Sequence, residues 1–204
     1  MEPKDGPWEL FYRRGAPLWR GSTGDLPRLE PGSRVLDVGC GTGSNLVEMA
    51  ASGYECVGLD ISGTAISIAR ERLGERGIAA ELHHCDIAGP DPGLGTFDLV
   101  LVHYVLGALD GDGRRRASGT LSGMLGEGGL LSFEDLASGD QREGKGHPIG
   151  ERTYRKGNGI IQHFFTEDEV SGLFPELEMK RMAAEEWRVG GMERRRIRAL
   201  YRFP

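Results

Sequence analysis

The sequence predicts an α/β protein in which a mostly parallel, doubly wound sheet carries helices on both faces. Three observations lead there. Short apolar runs at 35–38, 56–59 and 97–102 alternate with segments of helical period, the order that builds a parallel sheet. These runs are apolar at nearly every position, as suits strands buried on both sides. The first of them ends in glycines at 39, 41 and 43, which let the backbone turn sharply and approach a ligand at the carboxyl end of the strand.

Residues 1–33 precede the first strand. Trp8 to Arg14 places aromatics on a short helix, which either packs on the sheet or caps a bound ligand, and Pro31-Gly32 breaks the chain before the strand. The turn after Val38 reads G-x-G-x-G behind Asp37, unlike the G-x-G-x-x-G of dinucleotide folds, and by itself is also compatible with an ordinary βα turn. A helix is expected over 45–51 and a second strand from Cys56 that ends in Asp60-Ile61, an acid about twenty residues past the glycines that can accept ribose hydroxyls. Ala65, Ile68, Ala69 and Leu73 give a helix over 64–73 its apolar face, with Ser62 as N-cap. A third strand ends in Cys85-Asp-Ile87. His83 and His84 point to opposite faces of it, so no metal site is expected. Pro90 and Pro92 mark a loop, the fourth strand spans 97–103, a helix spans 112–125, and Leu130 to Phe133 forms the fifth strand.

With those residues in view, VLDVGCGTG, VGLDIS, CDI, FDLVLVHYVL and GGLLSFEDL resemble, in order and spacing, the class I S-adenosylmethionine-dependent methyltransferases. The likeness covers about residues 30–135 and is nearest to the thiopurine- and tellurite-type small-molecule enzymes. It implies a Rossmann-like sheet of seven strands closed by a C-terminal antiparallel hairpin, which 177–187 and 196–203 would supply across Gly190-Gly191. It implies S-adenosyl-L-methionine as cofactor, held by Trp19, Asp37, Gly39, Cys40, Gly41, Gly43, Asp60, Ile61, Asp86, Ile87 and His103. Asp37 would brace the glycine turn and Asp86 would meet the adenine amino group, while His103 reads equally as a packed histidine. The [Asn/Asp]-Pro-Pro-aromatic sequence of enzymes that methylate DNA bases is missing after the fourth strand, where His103-Tyr104 stands.

From 137 to 159 the chain is rich in glycine and charge and shows no usable period, so it reads as a loop longer than compact domains leave unstructured. It departs from the cofactor edge and is expected to serve as a substrate lid, with a mobile linker as the alternative. Arg14, Tyr104, His147, Arg152 and Tyr154 are the candidate acceptor contacts. No catalytic base is assigned; His103, Tyr154 and His163 are candidates. Thr166 to Glu169 opens another helix, and the arginines at 194–198 read as a solvated sheet edge.

Length and charge bound the rest. The 204 residues suit one domain, divided here into an N-terminal cap (1–33), a cofactor-binding core (34–135), a lid (136–165) and a C-terminal helix and hairpin (166–204). A net charge of −6 disfavours a nucleic-acid groove. Cys40, Cys56 and Cys85 read as reduced core thiols, and with no membrane span or signal sequence the chain is expected in the cytoplasm, as monomer or homodimer. The expected reaction is methyl transfer to a small molecule: a thiol, a metalloid oxyanion, or a small amine or carboxylate. The alternatives are a cofactor-binding regulator without transfer activity and an NAD-dependent oxidoreductase.

Overall fold

The computed structural model describes residues 6–15 and 26–204. In chain order the elements are α1 (Pro7–Arg13), β1 (Arg34–Val38), α2 (Ser44–Ala51), β2 (Glu55–Asp60), α3 (Gly63–Gly74), β3 (Glu81–His84), β4 (Phe97–His103), a 3-10 turn (Leu106–Ala108), α4 (Gly111–Gly123), β5 (Leu125–Leu136), β6 (His147–Gly150), β7 (Thr153–Arg155), β8 (Ile161–His163), α5 (Glu167–Ser171), β9 (Glu178–Val189) and β10 (Met192–Arg202).

Seven strands form one sheet in the order β3-β2-β1-β4-β5-β10-β9, with β1 to β5 parallel and β10 antiparallel to both its neighbours. Strand order reverses between β1 and β4, so the crevice outside their carboxyl ends is where such a sheet takes a ligand. Period-two alternation sorts the side chains. Leu36, Val38, Val100, Val102, Phe133 and Ile197 face Ala117 and Leu121 of α4 and Val170 of α5. Val35, Cys56, Leu99 and Leu101 face Leu46 and Met49 of α2 and Ile66 and Leu73 of α3. Both layers are nearly dry, which is why the strands read as continuous apolar runs rather than alternating ones.

The segment after β5 corrects the expectation of an unstructured loop. β6, β7 and β8 form a separate antiparallel sheet, with Thr153 opposite His163 and His147 opposite Arg155. Strands of three or four residues are too short to show a period, and only Thr153 and His163 of them turn inward to full burial. The excursion is pinned where it leaves the main sheet: Phe165 N donates to Leu136 O, Ser138 N donates to Phe165 O, and Ala137 N donates to Arg195 O. Buried Asp140 clasps it to the hairpin, accepting from Arg195 N at 2.8 Å and from Arg142 Nε at 2.7 Å. The arginines of β10 are likewise not simply solvated. Arg196 and Arg198 both pair with Glu134 of β5 and Glu185 of β9, tying three strands together across one face.

Candidate active site

The turn after β1 is built on glycine for two separate reasons. Gly39 has φ +67°, and a Cβ there would lie 2.5 Å from Val105 Cγ2, so the segment after β4 packs directly on the turn. Gly41 has φ +53°, and its Cβ would lie 2.7 Å from the Tyr12 hydroxyl. Asp60 joins the ends of β1 and β2: Gly41 N donates to its Oδ2 at 2.9 Å and Ser62 N to its Oδ1 at 2.8 Å. Burial raises the Asp60 carboxyl above its usual range, against the pull of those two N–H groups. Asp37 lies beneath the turn, fully buried. Asn45 Nδ2 donates to its Oδ1 at 3.2 Å, while Oδ2 has no partner among the described residues. Desolvation lifts this carboxyl to about 7, with the Asp60 charge adding to the rise and Asn45 opposing it.

Along the same edge Ile61 is 47% exposed, an apolar surface beside the Asp60 carboxylate. Asp86 is exposed, with Oδ1 accepting from Ala88 N at 2.9 Å. Cys40 and Ile87 turn their side chains into the core, so only their backbones can meet a ligand.

The helix α1 lies over this edge. Glu9 accepts from Ser62 Oγ at 2.6 Å and from Thr64 N at 3.1 Å, and also from Thr64 Oγ1; these bonds hold its carboxyl down at about 2. Three residues on, one turn along the same face, Tyr12 reaches Gly41, and burial pushes its phenol well above the usual range. A Cβ at Gly159, in the β7–β8 connection, would lie 3.1 Å from Pro7 Cγ, so α1 and the small sheet are neighbours. Glu9 and Tyr12 were not singled out from the sequence; their i, i+3 spacing puts them on one helix face but does not show what that face meets. Arg14 is the exposed C-cap of α1, and Trp19 lies outside the described residues.

After β4 the candidates separate. His103 Nε2 is 2.9 Å from Ser132 Oγ, and desolvation lowers the imidazole to about 4, so the ring is neutral near pH 7. Tyr104 has φ +58°, unusual for a bulky residue, held by donation from its N to Glu134 O at 2.7 Å. Its phenol bonds the Glu134 and Arg196 side chains. Both residues thus belong to the ion-pair face shared by β5, β9 and β10. Asp135, also missed, pins the 3-10 turn by accepting from Gly107 N and Leu136 N, each at 2.8 Å.

On the small sheet, His147 is exposed. Arg152, at φ +45°, pairs with Glu151 at 2.7 Å, and Tyr154 meets Phe164 edge-on at 6.1 Å. His163 is buried against Phe165 and lines a cleft of about 390 Å³ between the small sheet and the start of α4. A larger cleft, about 520 Å³, opens at the amino ends of β1 to β3, away from the switch point. Among the described residues no His, Cys, Asp and Glu cluster could hold a metal ion.

Residues 35–129 match the methyltransferase domain family. The chain is similar to the tRNA N(3)-cytidine methyltransferase METTL2 of Bos taurus, 30% identical over 163 residues, covering 71% of this chain and 42% of that protein. It is 46% identical over 78 residues to the magnesium-protoporphyrin O-methyltransferase of Rhodobacter capsulatus, covering 37% of this chain and 34% of that one. The chain spans less than half the length of these curated relatives. A SAM-dependent methyltransferase structure from Methanosarcina mazei superposes with a TM-score of 0.75 at 22% identity, covering 86% of this chain and 94% of that one, and shows the fold.

Proposed function

We propose that residues 35–129, which match the methyltransferase domain family, form a class I S-adenosylmethionine-dependent methyltransferase domain, and that the chain transfers the methyl group of S-adenosylmethionine to a small-molecule acceptor: a thiol, a metalloid oxyanion, or a small amine or carboxylate. The observation that carries the reading is Asp37 Oδ2, a buried carboxylate oxygen left without a donor directly under the glycine turn. A cationic adenosyl ligand suits an edge that carries this carboxylate together with Asp60 and Asp86. The residues present fit it: Asp37, Gly39, Gly41 and Tyr12 at one end, Asp60, Ile61 and Asp86 at the other. Asp60 already accepts two N–H bonds, but each carboxylate oxygen has a second lone pair, which leaves room for ribose hydroxyls.

When bound, the cofactor supplies a methyl group activated on a sulfonium. The chain's task is to align the acceptor with it and to exclude water. Residues 136–165 act here as the lid, with α1 closing the opposite side, and Arg152 and Tyr154 as acceptor contacts. The tellurite-type subclass rests on Arg14 and Trp19 and remains the finer part of the proposal. One observation favours a second reading, an RNA acceptor: the likeness to the tRNA enzyme reaches over 71% of the chain.

Two measurements test this. S-adenosylhomocysteine should raise Tm while NAD leaves it unchanged; the reverse result sinks the proposal. Methyl-labelled cofactor should then pass label to a small metabolite in an extract and not to total tRNA; label in tRNA alone would establish the second reading, and binding without any transfer would make the chain a regulator.

A further inference from the structure

The last strand of the seven-stranded sheet, β9, runs for 12 residues with no strand on its outer side among the described residues. Which backbone groups lie free there follows from β10. Arg195 O accepts from Ala137 N, and Phe203 N donates to Gly129 O, so the odd-numbered residues of β10 turn their backbone groups toward β5 and the even-numbered ones toward β9. Leu200, Arg198 and Arg196 stand opposite Arg181, Ala183 and Glu185, which therefore spend their N–H and C=O groups inside the sheet. Those of Met182, Ala184 and Glu186 point outward, a template for one more strand.

The side chains say which strand fits. Two copies of β9 paired antiparallel about a two-fold axis must set outward-facing residues against outward-facing residues, so the axis passes through a residue and opposed side chains share a face. With Ala183 on the axis, Met182 opposes Ala184, Arg181 opposes Glu185 and Lys180 opposes Glu186. Beyond the bulge at Lys180 the same order brings Glu178 toward Arg188. Every charged pair in this register is of opposite sign. Neighbouring registers fail: Ala184 on the axis sets Lys180 against Arg188, Met182 sets Glu178 against Glu186, and Arg181, Glu185 or Glu186 would each face itself. Like charges directly opposite are unfavourable, so the pattern selects one alignment.

Existing contacts leave this alignment open. Lys180 pairs with Glu178, Glu186 with Arg195 and Arg188 with Glu193, but these are solvent-facing pairs that exchange partners at little cost. Arg181 is exposed and has no hydrogen bond or ion pair among the described residues. Lysines and bulges blunt many sheet edges, yet from Arg181 to Val189 the strand carries neither proline nor a further bulge.

We propose that two copies of this chain pair through β9, antiparallel about Ala183, and join their sheets into one. The contact lies across the sheet from β1 and the cofactor edge, so it goes beyond the transfer reading and does not depend on it.

The test combines sedimentation of the purified chain, up to about 100 μM and so above the micromolar affinities of weak specific interfaces, with amide hydrogen exchange. The chain should form a reversible dimer, and exchange at Met182, Ala184 and Glu186 should slow as concentration rises while Gly190 in the hairpin turn stays unchanged. Lys180→Glu faces Glu186 with a like charge twice per dimer and should raise the dissociation constant about tenfold, as should Glu186→Lys. The double variant Lys180→Glu with Glu186→Lys reverses both signs and should return the dissociation constant toward the wild-type value. Both positions are exposed, and an unchanged Tm confirms that each variant folds. A wild-type chain that stays monomeric throughout overturns the proposal. So does a dimer in which the three amides exchange freely, or a double variant as weak as the single ones.

Discussion

Asp37 carries a structural cost that can be read from its titration. A carboxyl whose native value is raised to about 7 holds a proton that the unfolded chain has released, so its contribution to stability falls as pH rises from about 4 to 7 and stays low above that. His103 and His163, both lowered to about 4, act the other way: they destabilise as pH falls below the ordinary histidine value. The total profile mixes these signs, so the test is a difference. Asp37→Asn keeps the bond from Asn45 and removes the charge; its Tm relative to wild type should climb between about pH 4 and 7 and level off above. A constant difference would mean Asp37 does not titrate there. Asp60→Ala removes an acceptor shared by Gly41 N and Ser62 N as well as any ribose contact. It should cost roughly 1–3 kcal/mol of stability, about 2–12 °C in Tm for a chain of this size, and weaken S-adenosylhomocysteine by about tenfold or more. Full affinity in a folded variant would move the ribose contact elsewhere.

Under the proposed function two elements close the cofactor edge, and each can be released alone. The helix α1 is held by Glu9 on the start of α3, and it carries Tyr12 over the glycine turn. Glu9→Ala should therefore lower S-adenosylhomocysteine affinity by about tenfold, the scale of one charged hydrogen bond, with Tyr12→Phe a milder form of the same loss. If Glu9→Ala bound the ligand as tightly as wild type, α1 would be a bystander. The small sheet is different because, among the described residues, no hydrogen bond joins it to the glycine turn. Replacing 141–158 by a Gly/Ser linker, which removes Arg142 but leaves the bond from Arg195 N to Asp140 in place, should keep S-adenosylhomocysteine affinity within a few-fold while turnover drops sharply. Tyr154→Ala and Arg152→Ala should act mainly on acceptor KM. Full turnover by the linker variant on its acceptor would end the lid assignment.

At the scale of the whole molecule, charge separates the two acceptor readings. The chain carries a net charge of −6, and Arg196 and Arg198 of β10 are paired with Glu134 and Glu185. A polyanionic acceptor would lose affinity steeply with salt through counterion release. For a small acceptor, KM should change little between about 50 and 200 mM salt; a fall in affinity of several decades over that range would favour RNA. No helix among the described residues is long and apolar enough to cross a membrane.

The sequence by itself determined the sheet and its order of elements, and it put the glycine turn behind Asp37 and the Asp60 carboxylate at one sheet edge, because these depend on local patterns such as strands buried on two faces and turns at strand ends. Short-range constraints of that kind leave their mark within a few residues. Tertiary structure alone decided the rest. The small sheet of β6 to β8 has strands too short for a period and is held by pairings and by Asp140 across 55 residues of chain. Tyr12 reaches Gly41, Glu9 reaches Thr64, and Tyr104 joins Glu134 and Arg196, contacts that no spacing in the sequence announces. His163 shows the same division. The sequence offers it as a candidate, but its burial and its contacts with Thr153 and Glu169 arise only when the chain folds.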